Sequence, residues 1–382
     1  MQKLFQTKNQ HYVPQFYLRN FSSDGRSIRK IILESGRLIA TSSIKGECSE
    51  DYFYGNDGLI ETNLGAVEEE CSKWLKECLS IENPKRELPV IVRCWLARFA
   101  AVQYMRTKKN IESHSDSDKR FNKLLSNLYE RDYGPASVPS IYKEKDYSNL
   151  PGQSFITAIL NCGALIDLTA VLLDNETDED FVVSDNPVVF QNPLIEKYAL
   201  QNCSGFCTRG LQIYYPLTPR RMVCLYDSRV YKYLGKNIIS LSCKRDVESL
   251  NKLQFMNADK NIYFDSEILN LEKYISFRNE YESKQGESVS MIENQDAPGM
   301  YLIQQSSIMP KFGFKLSVFK IKPEMLREAY AKDPVFIWNW VRNPTLCSWV
   351  CEFVQLVELG KWNWLEFSKF YDKKWKELKS MV

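Results

Sequence analysis

Residues 164–190 read ALIDLTAVLLDNETDEDFVVSDNPVVF, and this stretch decides the class of fold. ALIDLTAVLLD and FVVSDNPVVF are short apolar runs on either side of an acidic turn, ETDED. Runs of that length bounded by turn residues read as buried strands rather than helices. LQIYYPL (211–217) and RMVCLYDS (221–228) continue the pattern, with Pro219 and Arg220 turning between them. Outward from this block the period changes. Upstream, SFITAILNCG (154–163) reads as helix, as do about 60–79, 88–109 and 120–131. The second of these carries Val90, Val92, Trp95, Phe99, Val102 and Met105 on a broad apolar face. Residues 110–120 read as a solvated connection and 133–153 as a Pro/Ser/Gly-rich loop. Nearer the start, SIRKIILE and RLIATSS flank Ser35-Gly36, a hairpin signal. Downstream, helices are expected over 244–257 and 265–284, and MYLIQQSS and FKLSVFKI as a strand pair. From Pro323 the chain is helical and rich in tryptophan. Helices, then strands, then helices predict an α+β fold. It would have N-terminal helices and a hairpin, a central mostly antiparallel sheet and a helical C-terminal region. Two regions are expected, 1–265 and 266–382, the second packed on the first.

A chain of 382 residues, 44% hydrophobic and 26% charged, can bury a full core without metals or disulfides. The net charge of +2 gives no global field toward nucleic acid or an anionic membrane, so any such contact would use a local patch. The eleven cysteines are scattered. Cys203 and Cys207 are four apart, as are Cys347 and Cys351, but no second pair of ligands lies near either. That argues against zinc and for thiols buried in a reducing compartment. The opening MQKLFQTKNQHYVPQ has no apolar signal core, and no stretch approaches the length needed to span a bilayer. A cytoplasmic protein is expected.

Phosphate loops, nucleophile elbows and paired helical histidines are all missing. The chain has two histidines, and His114 lies in a polar stretch, so imidazole chemistry would rest on His11. His11 opens the string His11-Tyr12-Val13-Pro14-Gln15-Phe16-Tyr17-Leu18-Arg19-Asn20-Phe21. It stands just before a helix start, where free N–H groups attract anions. Gln15 and Arg19 follow at i,i+4 spacing on one stripe. The plainer reading is a helix start whose His and Gln bond a neighbouring loop.

This string closely resembles the opening signature of the bacterial family called domain of unknown function 4238. Further pieces agree in order. Asp51-Tyr52-Phe53-Tyr54 precedes a helix with Glu61 and Glu68, and Phe99, Gln103 and Arg106 follow on the next. Then come Ser184-Asp185-Asn186-Pro187-Val188, Pro216-Leu217-Thr218-Pro219, and Leu250-Asn251 with Gln254. The resemblance covers about residues 9–265. Members of that family occur among anti-phage defence genes, which implies a defence effector or sensor. It implies no chemistry.

The chemistry must come from the residues. Glu68 and Arg106 meet if their helices form an antiparallel hairpin, with Gln103 beside Arg106. Such a pair either locks the hairpin or joins His11 in a cleft. Asp185, at the end of a buried strand, is either a rigidly held base or metal ligand or an Asx turn set by Pro187. Glu196-Lys197 only loosely resembles a metal-nuclease pattern. Together these residue types suit phosphodiester cleavage. His11 would act as acid or base, Arg106 and Arg19 would hold charge, and Asp185 and Glu68 would orient the imidazole or hold a divalent metal. Gln15, Gln103, Asn186 and Asn251 would bind substrate. The expected function is a nuclease acting as a defence effector on nucleic acid, with the cofactor left open. The alternatives are a non-enzymatic sensor or binding module, and an enzyme acting on a nucleotide-like small molecule.

The last segment, KWNWLEFSKFYDKKWKELKSMV (361–382), interleaves lysines with aromatics. That pattern fits single-stranded nucleic acid or a membrane surface, but more commonly an amphipathic helix docked on its own core. The run from Val335 to Trp364 is apolar enough for a helical packing unit or a homo-oligomer surface.

Overall fold

The strands of the central block are apolar on consecutive residues because both of their faces are covered. In β5 (Thr169–Asn175), Ala170 and Leu172 enter one hydrophobic core while Val171 and Leu173 enter another. In β8 (Gln212–Thr218), Ile213, Tyr215 and Leu217 face the first core and Tyr214 the second. β9 (Arg221–Tyr226) divides in the same way. The computed structural model describes residues 7–82, 88–143, 145–194, 205–233, 238–265, 270–284, 286–293, 300–308, 312–330 and 341–380. Cys203, Glu196-Lys197, residues 266–269 and residues 335–340 of the apolar run lie outside them.

With β7 (Val189–Gln191) and β11 (Ile238–Leu241), these strands form a five-stranded sheet ordered β11-β5-β9-β8-β7. It is antiparallel except for β11, which runs parallel to β5. The chain is α+β, as expected. The hairpin of β2 (Ser27–Ile32) and β3 (Arg37–Ser43) forms as read. It belongs to a second sheet, β3-β2-β12-β6, completed by β6 (Val183–Ser184) and β12 (Asn261–Phe264). β1 (Asn9–His11) pairs with β4 (Ser49–Asp51).

On one side of the large sheet sit α2 (Leu59–Ser80), α3 (Val90–Met105) and α6 (Leu150–Asn161), packed on one another. α3 is buried nearly all round, as an enclosed helix must be. The short α1 (Gln15–Leu18) is pinned to it by Tyr17, whose ring lies 5.3 Å from that of Phe99. The other side is covered by α7 (Lys244–Asn257) together with residues 312–326, whose Phe314, Leu316 and Met325 share a core with Tyr214 and Cys224.

Several expectations need correcting. Residues 110–120 are not a connection: α4 runs unbroken from Lys108 to Tyr133. Its only fully buried residues are Ile111 and Ser115, so a helix lying in water read as a loop. The 133–153 loop contains α5 (Ser140–Lys143), and residues 164–165, the expected start of a strand, instead end a 3-10 turn over Cys162–Leu165. MYLIQQSS and FKLSVFKI do not pair with each other. β14 (Tyr301–Ile308) pairs with β13 (Gly286–Glu293), whereas β15 (Phe319–Ile321) pairs with β10 (Tyr231–Tyr233). α8 is Leu271–Ser283 and α9 is Pro323–Tyr330.

The C-terminal segment folds back on the first core. In α11 (Phe367–Ser380), Phe367, Phe370 and Tyr371 are buried, alongside Phe353 of α10 (Pro344–Glu358). Lys369, Lys373 and Lys376 remain more than two-thirds exposed, as the amphipathic reading requires. Between the ends of α10 and β8's approach, Cys347 Sγ lies 3.4 Å from Cys207 Sγ. Among the described residues no helix is long and apolar enough to cross a membrane.

The seat of α11 depends on one glycine. A Cβ added to Gly163 would stand 1.8 Å from Tyr371 Oη. Gly163→Ala should therefore displace α11 and cost about 1–3 kcal/mol by overpacking, read as a lower urea midpoint. Adding Tyr371→Phe should recover part of that loss. It removes the nearest atom, which has no hydrogen-bond partner among the described residues.

Candidate functional site

The N-terminal signature is placed by main-chain pairing. His11 lies opposite Ser49 across the β1–β4 ladder, and Tyr12 N donates to Cys48 O at 2.8 Å. Cys48 and Tyr52, at either end of β4, have φ of 52° and 54°. That left-handed conformation is uncommon for residues with a Cβ, and it tends to gather at functional sites. Pro14 then caps α1, and Val13, Tyr17, Leu18 and Phe21 are driven into the core. The apolar half of the signature thus fixes where the polar half stands.

The end of α3 receives it. Tyr12 O accepts from Gln103 Nε2 at 2.9 Å and from Arg106 Nε at 3.1 Å. Arg106 Nε also reaches Gln103 Oε1 at 2.9 Å, and Arg106 Nη1 lies 2.7 Å from Glu68 Oε1 on α2. The α2–α3 hairpin therefore brings Glu68 and Arg106 together as the spacing predicted. The Arg106 side chain is only 1% exposed and that of Glu68 29%. A buried guanidinium is tolerable only when its charge and donors are matched. Here one donor is not: Arg106 Nη2 has no hydrogen-bond partner among the described residues, nor have Tyr54 Oη and Glu61 Oε2 nearby. Electrostatic coupling links Tyr54 and Glu61 to both Arg106 and Glu68. Beside Arg106, Gln103 and Glu68 is a cavity of about 10 Å³, roughly the space one water molecule needs.

His11 is partly buried at the edge of this cluster. Its Nε2 lies 3.2 Å from Lys45 O, which selects the tautomer with the proton on Nε2 and a lone pair on Nδ1. Burial lowers the proton affinity of the imidazole. The Lys45 carbonyl and Glu68 oppose this, while Arg106 and Arg19 reinforce it. The net shift is downward, so His11 is a neutral base at pH 7. Glu61 is shifted the other way, by burial and then by Glu68, and holds a proton more readily than an ordinary glutamate. Loss of water thus draws the proton affinities of His11 and Glu61 toward each other, each group's charged form being the one disfavoured. Gln15, at the start of α1, and Arg19, just past its end, pair at 2.8 Å at the surface.

Asp185, Asn186 and Asn251 form a different node. Asp185 is buried and accepts three backbone N–H groups, from Asp259 at 2.7 Å, Lys260 at 2.7 Å and Asn261 at 2.8 Å. Burial pushes its carboxyl up to about 6, against the pull of those three bonds. Asn186 Oδ1 accepts from Thr107 Oγ1 at 2.8 Å, and its Nδ2 donates to Asn257 O at 3.1 Å. Asn251 Oδ1 accepts from Val182 N and its Nδ2 donates to Asp180 O. Gln254 accepts from Ser184 N and Oγ and donates to Pro187 O. These side chains hold the SDNPV loop to α7 and β12.

The predicted residues therefore divide. His11, Glu68, Gln103 and Arg106 gather, with Gln15 and Arg19 at their rim. Asp185, Asn186 and Asn251 are spent on main chain, and no hydrogen bond joins Asp185 to His11. The two nodes adjoin through Tyr12, whose phenol is raised by burial first and then by Cys48, Asp185 and Asp259. Glu61, two helical turns before Glu68 on the same face, joins the cluster, and so does Tyr54. Their signal was their place in and just after Asp51-Tyr52-Phe53-Tyr54. Among the described residues no three His, Cys, Asp or Glu side chains gather as a metal-ligand set.

A family model described as "Protein of unknown function (DUF4238)" matches residues 9–267. No curated protein and no solved structure matches the chain.

Proposed function

This chain belongs to the DUF4238 family, and from that footing we propose that it cleaves phosphodiester bonds in nucleic acid as an effector of anti-phage defence inside the cell. The observation that carries the reading is the neutral, partly buried His11 beside Glu68 and the incompletely paired Arg106. His11 Nδ1 would take a proton from the attacking oxygen as its bond to phosphorus forms. Water would protonate the leaving oxygen as the P–O bond breaks. Arg19, exposed just past the end of α1, would meet the phosphate, and Arg106 would add positive potential from below. The defence role rests on the company the family keeps, and the chemistry on this cluster. No residue is assigned to a metal.

A second reading, a non-enzymatic binding module, is favoured by two observations. The SDNPV node spends its side chains on the main chain, and the space beside Arg106 is about that of one water. Self-association through the C-terminal helices has less support, because Phe353, Phe367, Phe370 and Tyr371 face the chain's own core.

Labelled RNA and DNA, incubated with the chain with and without magnesium or manganese, separate these readings. His11→Ala should keep the wild-type melting curve and lose about 10²–10⁴ in cleavage rate. Cleavage by the wild type should also fall as His11 takes up its proton, with a midpoint below 6.5. A wild type inert under every condition would leave the binding module.

A further inference from the structure

A cavity of about 940 Å³ opens on the side of the large sheet away from α3. It lies between β8, β10, the first turn of α7 and residues 313–321. That volume is in the range that holds a whole small molecule. Its walls are mainly apolar and strongly aromatic, with Tyr214, Tyr231, Phe314 and Phe319 among them. One polar side chain inside is buried and oriented. Gln212 is 2% exposed, and its Oε1 accepts from Tyr214 Oη at 2.9 Å. The bond fixes the amide, and among the described residues its Nε2 donates to nothing.

The charge around the cavity is one-sided. Arg245, Lys315 and Lys320 line it and are exposed, and among the described residues none of them has an acid within ion-pair distance. The acid on the wall, Asp246, is committed: one oxygen accepts from Ser317 N at 3.0 Å and the other from Ser317 Oγ. That tie also holds residues 313–321 over the start of α7. The N-terminus of α7, whose Cys243 cap makes no side-chain bond, adds partial positive charge on the same side.

We propose that this cavity binds a nucleotide, with the base among the aromatic rings and Gln212 Nε2 on its edge, and the phosphates against Arg245, Lys315 and Lys320. Aromatic walls favour a planar ring over an alkyl chain, and three unpaired cations suit more than one negative charge. Residues 313–321 lie beyond the family match at 9–267, so one wall belongs to this chain rather than to the family core. The site is separate from the His11 cluster and does not depend on the nuclease reading.

Calorimetric titration of the full chain with nucleoside mono-, di- and triphosphates tests the proposal, with a long-chain fatty acid as comparison. Affinity should rise with phosphate number. Arg245→Ala with Lys320→Ala, both at exposed positions, should weaken it by about tenfold or more. Bound nucleotide should also slow alkylation of Cys243, which is exposed and lines the cavity, as located by peptide mapping. His11→Ala should bind nucleotide unchanged, so failure of the nuclease reading and failure here are distinct. No nucleotide binding, binding indifferent to the two substitutions, or preference for the fatty acid would each overturn it.

Discussion

Asp185→Ala should unfold much of the chain's margin of stability rather than simply silence a catalytic group. Three backbone N–H groups end on this carboxyl, at 2.7, 2.7 and 2.8 Å, inside the protein. Leaving each buried N–H unmet costs roughly 1–3 kcal/mol. Against that stands the relief of no longer burying a carboxyl that burial has pushed up to about 6. The balance is a loss on the order of 3–5 kcal/mol, a large part of a typical folding free energy. Asp185→Asn should do little better, since its amide nitrogen must face at least one N–H. The pH dependence has a definite sign. A folded-state pKa near 6, above the 3.8 of an ordinary aspartate, means the folded chain holds this proton more tightly between those values. The gap in stability between wild type and Asp185→Ala should therefore be widest below about pH 4 and shrink toward pH 7. Urea melts at several pH values read this, and a gap that widened with rising pH would refute it.

Arg106→Met should be nearly as damaging, by about 3 kcal/mol, the lower end for breaking a buried ion pair because Glu68 keeps some water. It strands Gln103 Oε1 and Glu68 Oε1 together and leaves Tyr12 O only its bond from Gln103 Nε2. Glu68→Gln keeps an acceptor and should cost less. The two variants should also move His11 in opposite senses, since Arg106 lowers and Glu68 raises its proton affinity. Arg106→Met should raise the His11 midpoint and Glu68→Gln should depress it. A purely structural lock would change stability without this signed pair of shifts.

Much of the fold was legible because burial leaves a mark on sequence. β5, β8 and β9 are apolar on consecutive residues since a core lies on each side. β12 leaves little mark on the sequence because Asn261-Ile262-Tyr263-Phe264 is a single short strand between two helices. The first half of α4 was lost for the opposite reason: almost nothing on it is buried. β15 could not be matched to β10 because the pairing depends on a distant segment, which local pattern does not encode. At the site, the family resemblance singles out Glu68, Gln103 and Arg106, and helical spacing then sets Gln103 beside Arg106 on one face. Asp185 was drawn into the same cluster because the partners it actually has, the amides of 259–261, carry no side-chain signature. The Lys45 carbonyl that sets the His11 tautomer was invisible for the same reason.

With two histidines in the chain, the central claim can be read directly by NMR. Titration of ¹³Cε1-labelled imidazoles would follow His11, its signal assigned by its loss in His11→Ala. His11 should titrate below 6.5 and should rise when a non-hydrolysable phosphorothioate oligonucleotide is added. A His11 that titrates at or above 6.5 and ignores the oligonucleotide would contradict a phosphodiester-cleaving centre built on this residue.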